Sequence, residues 1–397
     1  MIKYVILALY FSALLQKGWA NYDHGKDLRD LRHIGQLDKS TVNRFLSALP
    51  ESHSVVSGIS LSNLPDKGQD RTMNHSNKVF DLYGVCDGHG TGGEIVASAI
   101  TSKDSKASLF HFFDTHYKSL KEKGQDNEPL VSAQTVCLAV NDRLAQEPDI
   151  GDGGTTLSAG VDLANDDNAM FLNVGDSPII IVTKEGEVLT NQLQDQFNEA
   201  EIARVKSAGV SCYSGIGYLY YPYRLQPSRD FGKTSRLHSA AKPFPYVYLY
   251  PKDQIAFTMI LSDGLSDAWM MANRLNNQAG ITANFVKDFI ARSLRLKQTE
   301  KALSDTDMNR VANSYFESGH TDDMSVVVKR YAPTKLDNSK IKVLNPGEVP
   351  APNNEINKKV IYGVVAGGVA TLGLMGFLYY RYLKQKKQDV RAQVVTE

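Results

Sequence analysis

The stretch Val85-Cys86-Asp87-Gly88-His89-Gly90-Thr91-Gly92-Gly93 constrains this chain more than any other. An apolar run of strand character from Val79 to Cys86, interrupted by Asp81 and Gly84, ends on a carboxylate, and the glycines that follow let the backbone turn sharply. An acid, a backbone carbonyl and an imidazole are thereby crowded at one strand end. Hard divalent cations such as Mg²⁺ and Mn²⁺ take oxygen ligands, and Gly88 can present its carbonyl with no Cβ in the way. Alone, Asp87-Gly88-His89-Gly90 fits a surface turn with a solvated histidine equally well, because Asp-Gly is a frequent turn signal. The metal reading requires other carboxylates at the same point.

Two further strand ends supply them. Ile255–Leu261 is almost wholly apolar, as a buried strand should be, and runs into Ser262-Asp263-Gly264; Thr321-Asp322-Asp323 precedes the apolar Met324–Val328. Any one of these acids reads as a turn or cap, but three at strand termini, where loops converge on one edge of a sheet, can share a cation cluster.

Composition limits the alternatives. With 397 residues, 42% apolar and 22% charged, the chain is globular and large enough for one big domain or two small ones. Its 44 basic and 44 acidic residues balance, so it carries no electrostatic footprint for nucleic acid. Cys86, Cys137 and Cys212 are too widely spread for a zinc pattern or a disulfide framework and read as small buried hydrophobes.

The two ends point to a membrane. Lys3 precedes an apolar run from Tyr4 to Leu15, and Gly18-Trp19-Ala20 places small residues at −3 and −1 of a cleavage site, so residues 1–20 are expected to be a secretory signal peptide. Residues 21–50 read as a charged, weakly helical extension, 51–332 as the folded domain, and 333–359, with Pro346, Pro350 and Pro352, as a stalk. Residues 360–380 are uncharged over a length that as a helix reaches about 30 Å, so a C-terminal transmembrane helix is expected there. Arg381, Lys384, Lys386 and Lys387 in the tail 381–397 put the C-terminus in the cytosol and the domain in the lumen or outside, although Lys358 and Lys359 oppose this. Gly363 and Gly367 form a small-xxx-small pair that suits helix dimerisation or simple lipid contact equally.

Between the ends, periodicity predicts strands over 54–60, 78–86, 155–162, 169–174, 178–183, 187–190, 246–250, 255–262 and 324–330. Helices are predicted over 93–100, 108–123, 130–146, 199–208, 282–296 and 305–318. Runs of strands joined by tight turns, with helices set apart in pairs, predict an α+β layered sandwich of two mostly antiparallel β-sheets flanked by pairs of helices.

The order of motifs resembles the metal-dependent type 2C serine/threonine protein phosphatases. The matching pieces are Gly84–Gly90, Gly153-Gly154-Thr155-Thr156, Asn173–Ser177, Leu225–Gly232, Leu261–Asp267 and Thr321–Val328, in the family's order and covering about residues 54–330. The resemblance implies that Asp87 bridges two Mg²⁺ or Mn²⁺ ions, with a third ion also found in the family. Gly88 would give its carbonyl to the first, Asp263 and Asp322 would hold the second, and Asp70 would act through metal-bound water. A water activated between the two ions would then attack a phosphoserine or phosphothreonine protein, with His89 as the general acid.

Several positions depart from the pattern. The arginine that the family sets a few residues before its first acid, to grip the substrate phosphate, falls near Pro65, leaving Lys67 or Arg71 as substitutes. Gln69 stands for the usual Glu, Gln196 for the usual His, and Asp152 is one position from the acid linked to the third metal. Asp176 reads as a turn residue, Arg229 as an internal ion-pair partner, and His111 and His116 as packing residues on an aromatic helix. Tyr218, Tyr220, Tyr221 and Tyr223 form a cluster that either grips a partner or covers the core. Three functions compete: an active membrane-anchored phosphatase, a pseudophosphatase acting as a binding or scaffold module, and a receptor-like protein whose helices transmit dimerisation.

Overall fold

The computed structural model describes residues 29–50, 54–62, 68–125, 128–147, 152–195, 197–210, 227–232, 239–275, 281–298, 301–316 and 322–331. The chain divides into two units, 1–334 and 335–397, and all the described residues lie in the first. In chain order they form β1 (Arg32–Gln36), α1 (Lys39–Ala48), β2 (Val55–Ser60), β3 (Arg71–Ser76), β4 (Phe80–Cys86), β5 (Gly88–His89), α2 (Gly93–Thr101), α3 (Leu109–Glu122) and α4 (Pro129–Leu144). There follow β6 (Gly154–Thr155), β7 (Leu157–Leu163), β8 (Asn168–Val174), β9 (Ile179–Thr183), β10 (Glu187–Thr190), α5 (Glu199–Ser207) and β11 (Phe231–Gly232). The last elements are β12 (Tyr246–Pro251), β13 (Ile255–Leu261), α6 (Asp263–Ala272), α7 (Ala283–Leu296), α8 (Asp305–Asn313) and β14 (Met324–Arg330).

The strands build a six-stranded sheet, β1-β10-β9-β13-β14-β2, a five-stranded sheet, β12-β8-β7-β4-β3, and a small ribbon, β11-β6-β5. Every pairing is antiparallel. Period-two alternation sorts the side chains into layers. In β13, Phe257, Met259 and Leu261 pack outward under α1, α6, α7 and α8, while Ile260 faces the other sheet. In β4, Phe80, Leu82 and Cys86 pack under α2, α3 and α4, while Tyr83 and Val85 meet Ile260 and Val327 between the sheets. The result is the expected sandwich of two antiparallel sheets between helical layers.

Three differences from the sequence reading have physical causes. The folded part reaches back into the stretch read as an extension: β1 pairs with β10, and Val42, Phe45 and Ala48 of α1 are buried. Asp38 caps that helix by accepting from Thr41 N–H at 2.8 Å, and Phe45 meets Phe257 edge-on at 4.9 Å. The apolar stripe is only one residue wide among polar neighbours, so its periodicity is faint. Second, β3 is an edge strand with Met73 as its one fully buried side chain, which leaves no alternation to read. Third, α6, which starts at Asp263 itself, is a helix the periodicity does not predict, and α8 stops at Asn313 rather than at 318. α8 also covers the free edge of β2, with Asp305 and Asn309 accepting from Ser57 and Ile59 N–H at 2.7 and 2.8 Å. The expected signal peptide, stalk, transmembrane helix and Gly363–Gly367 pair lie outside the described residues, among which no helix is long and apolar enough to cross a membrane.

Two buried ionic clusters pin the layers. Between the sheets, Lys329 reaches Asp162 at 2.5 Å and Asp81 at 3.0 Å, over the faces of Tyr83 and Tyr331. On α5, Glu201 takes both Arg229 Nη2, at 2.8 Å, and Arg204 Nη2, at 2.7 Å, and accepts from Ser228 and Tyr246 hydroxyls. Burial pushes the Glu201 carboxyl upward, but the Arg229 and Arg204 guanidinium groups outweigh it and hold the carboxyl well below the usual glutamate range.

Removing this charge strands guanidinium groups in the interior, so Glu201→Gln should cost about 3–5 kcal/mol of stability. Because the folded carboxyl is depressed, its contribution is complete above the ordinary value of 4.5 and fades as the pH falls through it. The gap in melting temperature between wild type and Glu201→Gln should therefore narrow from about pH 6 to about pH 3. A gap that stays constant would refute this assignment.

Candidate metal centre

Backbone pairing brings the acids together. The register Arg71↔Cys86 between β3 and β4 sets Asp70 beside Asp87, and β13 and β14, paired through Leu261↔Val326, deliver Asp263 and Asp322 from neighbouring strand ends. The Asp87 peptide is clamped: its carbonyl accepts from Thr156 N–H and from the Thr155 hydroxyl, both at 2.9 Å. Gly88 follows in a place only glycine fits, since a Cβ there would lie 2.7 Å from the Gln69 carbonyl oxygen.

Asp323 secures the opposite wall. Its carboxylate accepts from Ser62, Gly68 and Gln69 N–H, each at 2.6 Å, and so ties Ser62 and Gly68-Gln69 to the start of β14. Of the adjacent acids, then, Asp323 is committed to backbone, while Asp322 accepts from Asp323 N–H at 2.9 Å and acts on Asp87.

The carboxylates perturb one another. Burial, then the charges of Asp70 and Asp263, a hydrogen bond with Asp263 and the charge of Asp322 push Asp87 well above the usual aspartate range. Asp70 is 1% exposed, and its Oδ2 has no hydrogen-bond partner. Burial pushes it up to about 7, with Asp323 and Asp263 adding to this against the Ser262 and Ser325 hydroxyls. Two acids not counted as ligands in the sequence join them. Asp267, one turn along α6 from Asp263, is pushed up to about 7 by burial, Asp263 and Asp322. Asp176, read as a turn residue, is raised by burial and then by Asp263, Asp195 and Asp267. Only the tertiary fold brings these to the cluster, although the helical i, i+4 spacing of Asp263 and Asp267 was a usable signal.

Among the described residues no three such side chains form a finished cage. The donor set nevertheless fits hard cations: every group is oxygen, one buried carboxylate oxygen has no partner, and burial and neighbouring carboxylates raise the pKa values of Asp70 and Asp87, which positive charge would relieve.

His89 lies in the small ribbon, where burial draws its pKa down to about 4. Asp230 Oδ2 stands 3.6 Å from its Nε2. Gln69 is matched to its surroundings: its amide donates to the Gly90 carbonyl at 2.8 Å and to Glu94 at 3.4 Å, contacts a glutamate would turn into repulsion. The Arg71 guanidinium donates through Nε to Ser98 Oγ at 2.9 Å and through Nη1 to the Gly68 and Asp70 carbonyls at 3.0 and 2.7 Å. Lys67, Gln196 and the Tyr218–Tyr223 cluster lie outside the described residues.

Comparison with known proteins identifies the family. The family model "Protein phosphatase 2C" matches residues 60–274, more than half of the chain. Among solved structures, a C. elegans sex-determining protein superposes with a TM-score of 0.55 at 16% identity, over 72% of this chain and 66% of that one, just under two thirds of its length. A serine/threonine phosphatase of S. agalactiae (19% identity, TM-score 0.42, 70% of this chain and 99% of that one) is also similar. So is the serine/threonine phosphatase Stp1 of Staphylococcus aureus (14% identity, TM-score 0.44, 71% and 96%). No curated protein sequence matches. On the family match, the chain belongs to the protein phosphatase 2C family, and with it to the metal-dependent protein serine/threonine phosphatases.

Proposed function

We propose that the chain is an active, membrane-anchored phosphatase that hydrolyses phosphoserine and phosphothreonine esters at the Asp87 cluster. The observation that carries this reading is the contact of the Asp87 and Asp263 carboxyls beside Asp70 and Asp322, four acids gathered at one point. Asp87 would bridge two ions, the Gly88 carbonyl would complete the first, Asp263 and Asp322 would hold the second, and Asp70 would act through ordered water. Bound there, Mg²⁺ or Mn²⁺ supplies the charge that activates a water near neutral pH and shields phosphoryl oxygens. His89 would give the proton that the leaving seryl or threonyl oxygen needs, the charge of nearby Asp230 favouring the protonated ring that burial disfavours.

Asp87→Asn removes the charge that both ion positions share. The variant should lose Mn²⁺ affinity in calorimetry and phosphopeptide turnover together; unchanged affinity and turnover would discard the assignment.

One observation favours the scaffold reading. The Arg71 guanidinium binds Ser98 and two carbonyls through Nε and Nη1, which favours Lys67 as the phosphate-orienting cation. Lysine is a point charge, and replacing a bidentate arginine costs on the order of 1.5–3 kcal/mol, roughly ten- to hundredfold in efficiency. A slow enzyme with a high KM is expected, and Lys67→Arg or Pro65→Arg should raise kcat/KM. Wild type that binds Mn²⁺ but never turns over, with neither variant rescuing it, would establish the scaffold instead.

For anchoring, support comes from the apolar stretch 4–15 before Gly18-Trp19-Ala20, the uncharged 360–380 and the basic residues after it. Asn74, in the sequon Asn74-His75-Ser76, is exposed on edge strand β3 and open to glycosylation in a secretory lumen. Gly363 and Gly367 offer a dimerising face to the membrane helix. Protease added to sealed vesicles should clip the C-terminal tail and spare the catalytic domain. The opposite pattern of protection would invert the topology.

A further inference from the structure

His89 and Asp230 meet inside the small ribbon. β6 is its middle strand: His89 pairs with Gly154 on one side and Gly232 pairs with Gly154 on the other. Asp230 is 1% exposed, and its N–H donates to the Ala241 carbonyl at 3.1 Å. The preceding Arg229 is fixed by Glu201 and by the Phe244 carbonyl, 2.6 Å from Nη1, so the Asp230 backbone is held from both sides. His89 Nε2 is buried with no hydrogen-bond partner, and Asp230 Oδ2, 3.6 Å away, is at ion-pair range. A Cβ on Gly154 would lie 2.4 Å from His89 Cε1 and 2.7 Å from Asp230 Oδ2, so glycine leaves the space in which the two side chains meet.

We propose that Asp230 is a positioning residue that holds the His89 ring by Nε2, so that the other ring nitrogen, Nδ1, delivers the proton to the leaving oxygen. The inference rests on the phosphatase reading above and assigns that reaction a residue it did not use. In the reaction, water oxygen bonds to phosphorus and the bond from phosphorus to the seryl or threonyl oxygen breaks, its electron pair staying with that oxygen. The Nδ1 proton of the protonated ring moves to it. One proton of the water stays on the phosphate and the other restores the ring. A carboxylate fixed on one nitrogen sets both the tautomer of the resting ring and its orientation, which an untethered imidazole would have to find in each turnover.

The test compares two substrates on the full chain with Mn²⁺. A phosphothreonine peptide releases an alkoxide that needs a proton, whereas p-nitrophenyl phosphate releases a phenolate that does not. Asp230→Asn, which preserves volume, should lower kcat on the peptide by about tenfold or more, leave its KM within about twofold, and change p-nitrophenyl phosphate turnover by less than about threefold. In a His89→Ala background it should add nothing. Equal losses on both substrates, no loss on the peptide, or additive losses with His89→Ala would overturn the proposal. A readout without turnover separates it from the phosphatase reading: long-range proton–nitrogen NMR of the metal-free full chain should find the neutral His89 ring protonated at Nε2. A wild-type ring protonated at Nδ1 would overturn the proposal whether or not the enzyme is active and whether or not the variant folds.

Discussion

Carboxylates held together away from water repel one another, and the structure around Asp87 is arranged to keep them in place. The repulsion acts on Asp70, Asp87, Asp263 and Asp322 together, so no single loop could hold the group against it. Each acid is instead set at the end of a strand or the start of a helix whose own pairing lies elsewhere: β4 against β3 and β7, β13 against β9 and β14. The energy that opposes the repulsion comes from sheet pairing and from apolar burial in the layers behind it.

Asp323 makes the division of labour plain. It is buried, and its carboxylate takes three backbone N–H groups at 2.6 Å. Satisfied by backbone, it fixes Ser62, Gly68 and the carbonyl side of Gln69 against which Gly88 packs. Two adjacent aspartates thus do opposite things: one is a staple, the other joins the acid cluster. The Lys329 and Glu201 clusters extend the same logic, because each cation or anion inside the sandwich is matched by counter-charges from other layers.

Much of this was legible in the sequence, and the limits are physical. Asp87, Asp263 and Asp322 could be found because each ends or begins a strongly apolar run, and a strand end is a local property. Asp230 could not, because its place beside His89 depends on two-residue strands whose pairing is wholly long-range. Asp176 read as a turn because nothing local distinguishes an aspartate that ties a turn from one that faces other acids across it. β1 and α1 were hidden by composition: their anchoring comes from β10 and from Phe257 and Phe289, far along the chain. Gln69 reads as a loss of charge in the sequence because its partners, the Gly90 carbonyl and Glu94, are brought to it only by the fold.

The central claim is that these acids form a dinuclear cation site centred on Asp87, and anomalous diffraction from crystals of residues 29–331 soaked in Mn²⁺ tests it most directly. The account requires two anomalous peaks sharing the Asp87 carboxylate, one beside the Gly88 carbonyl and one between Asp263 and Asp322. No peak at the cluster, or Mn²⁺ bound only at other acids of the chain, would contradict it.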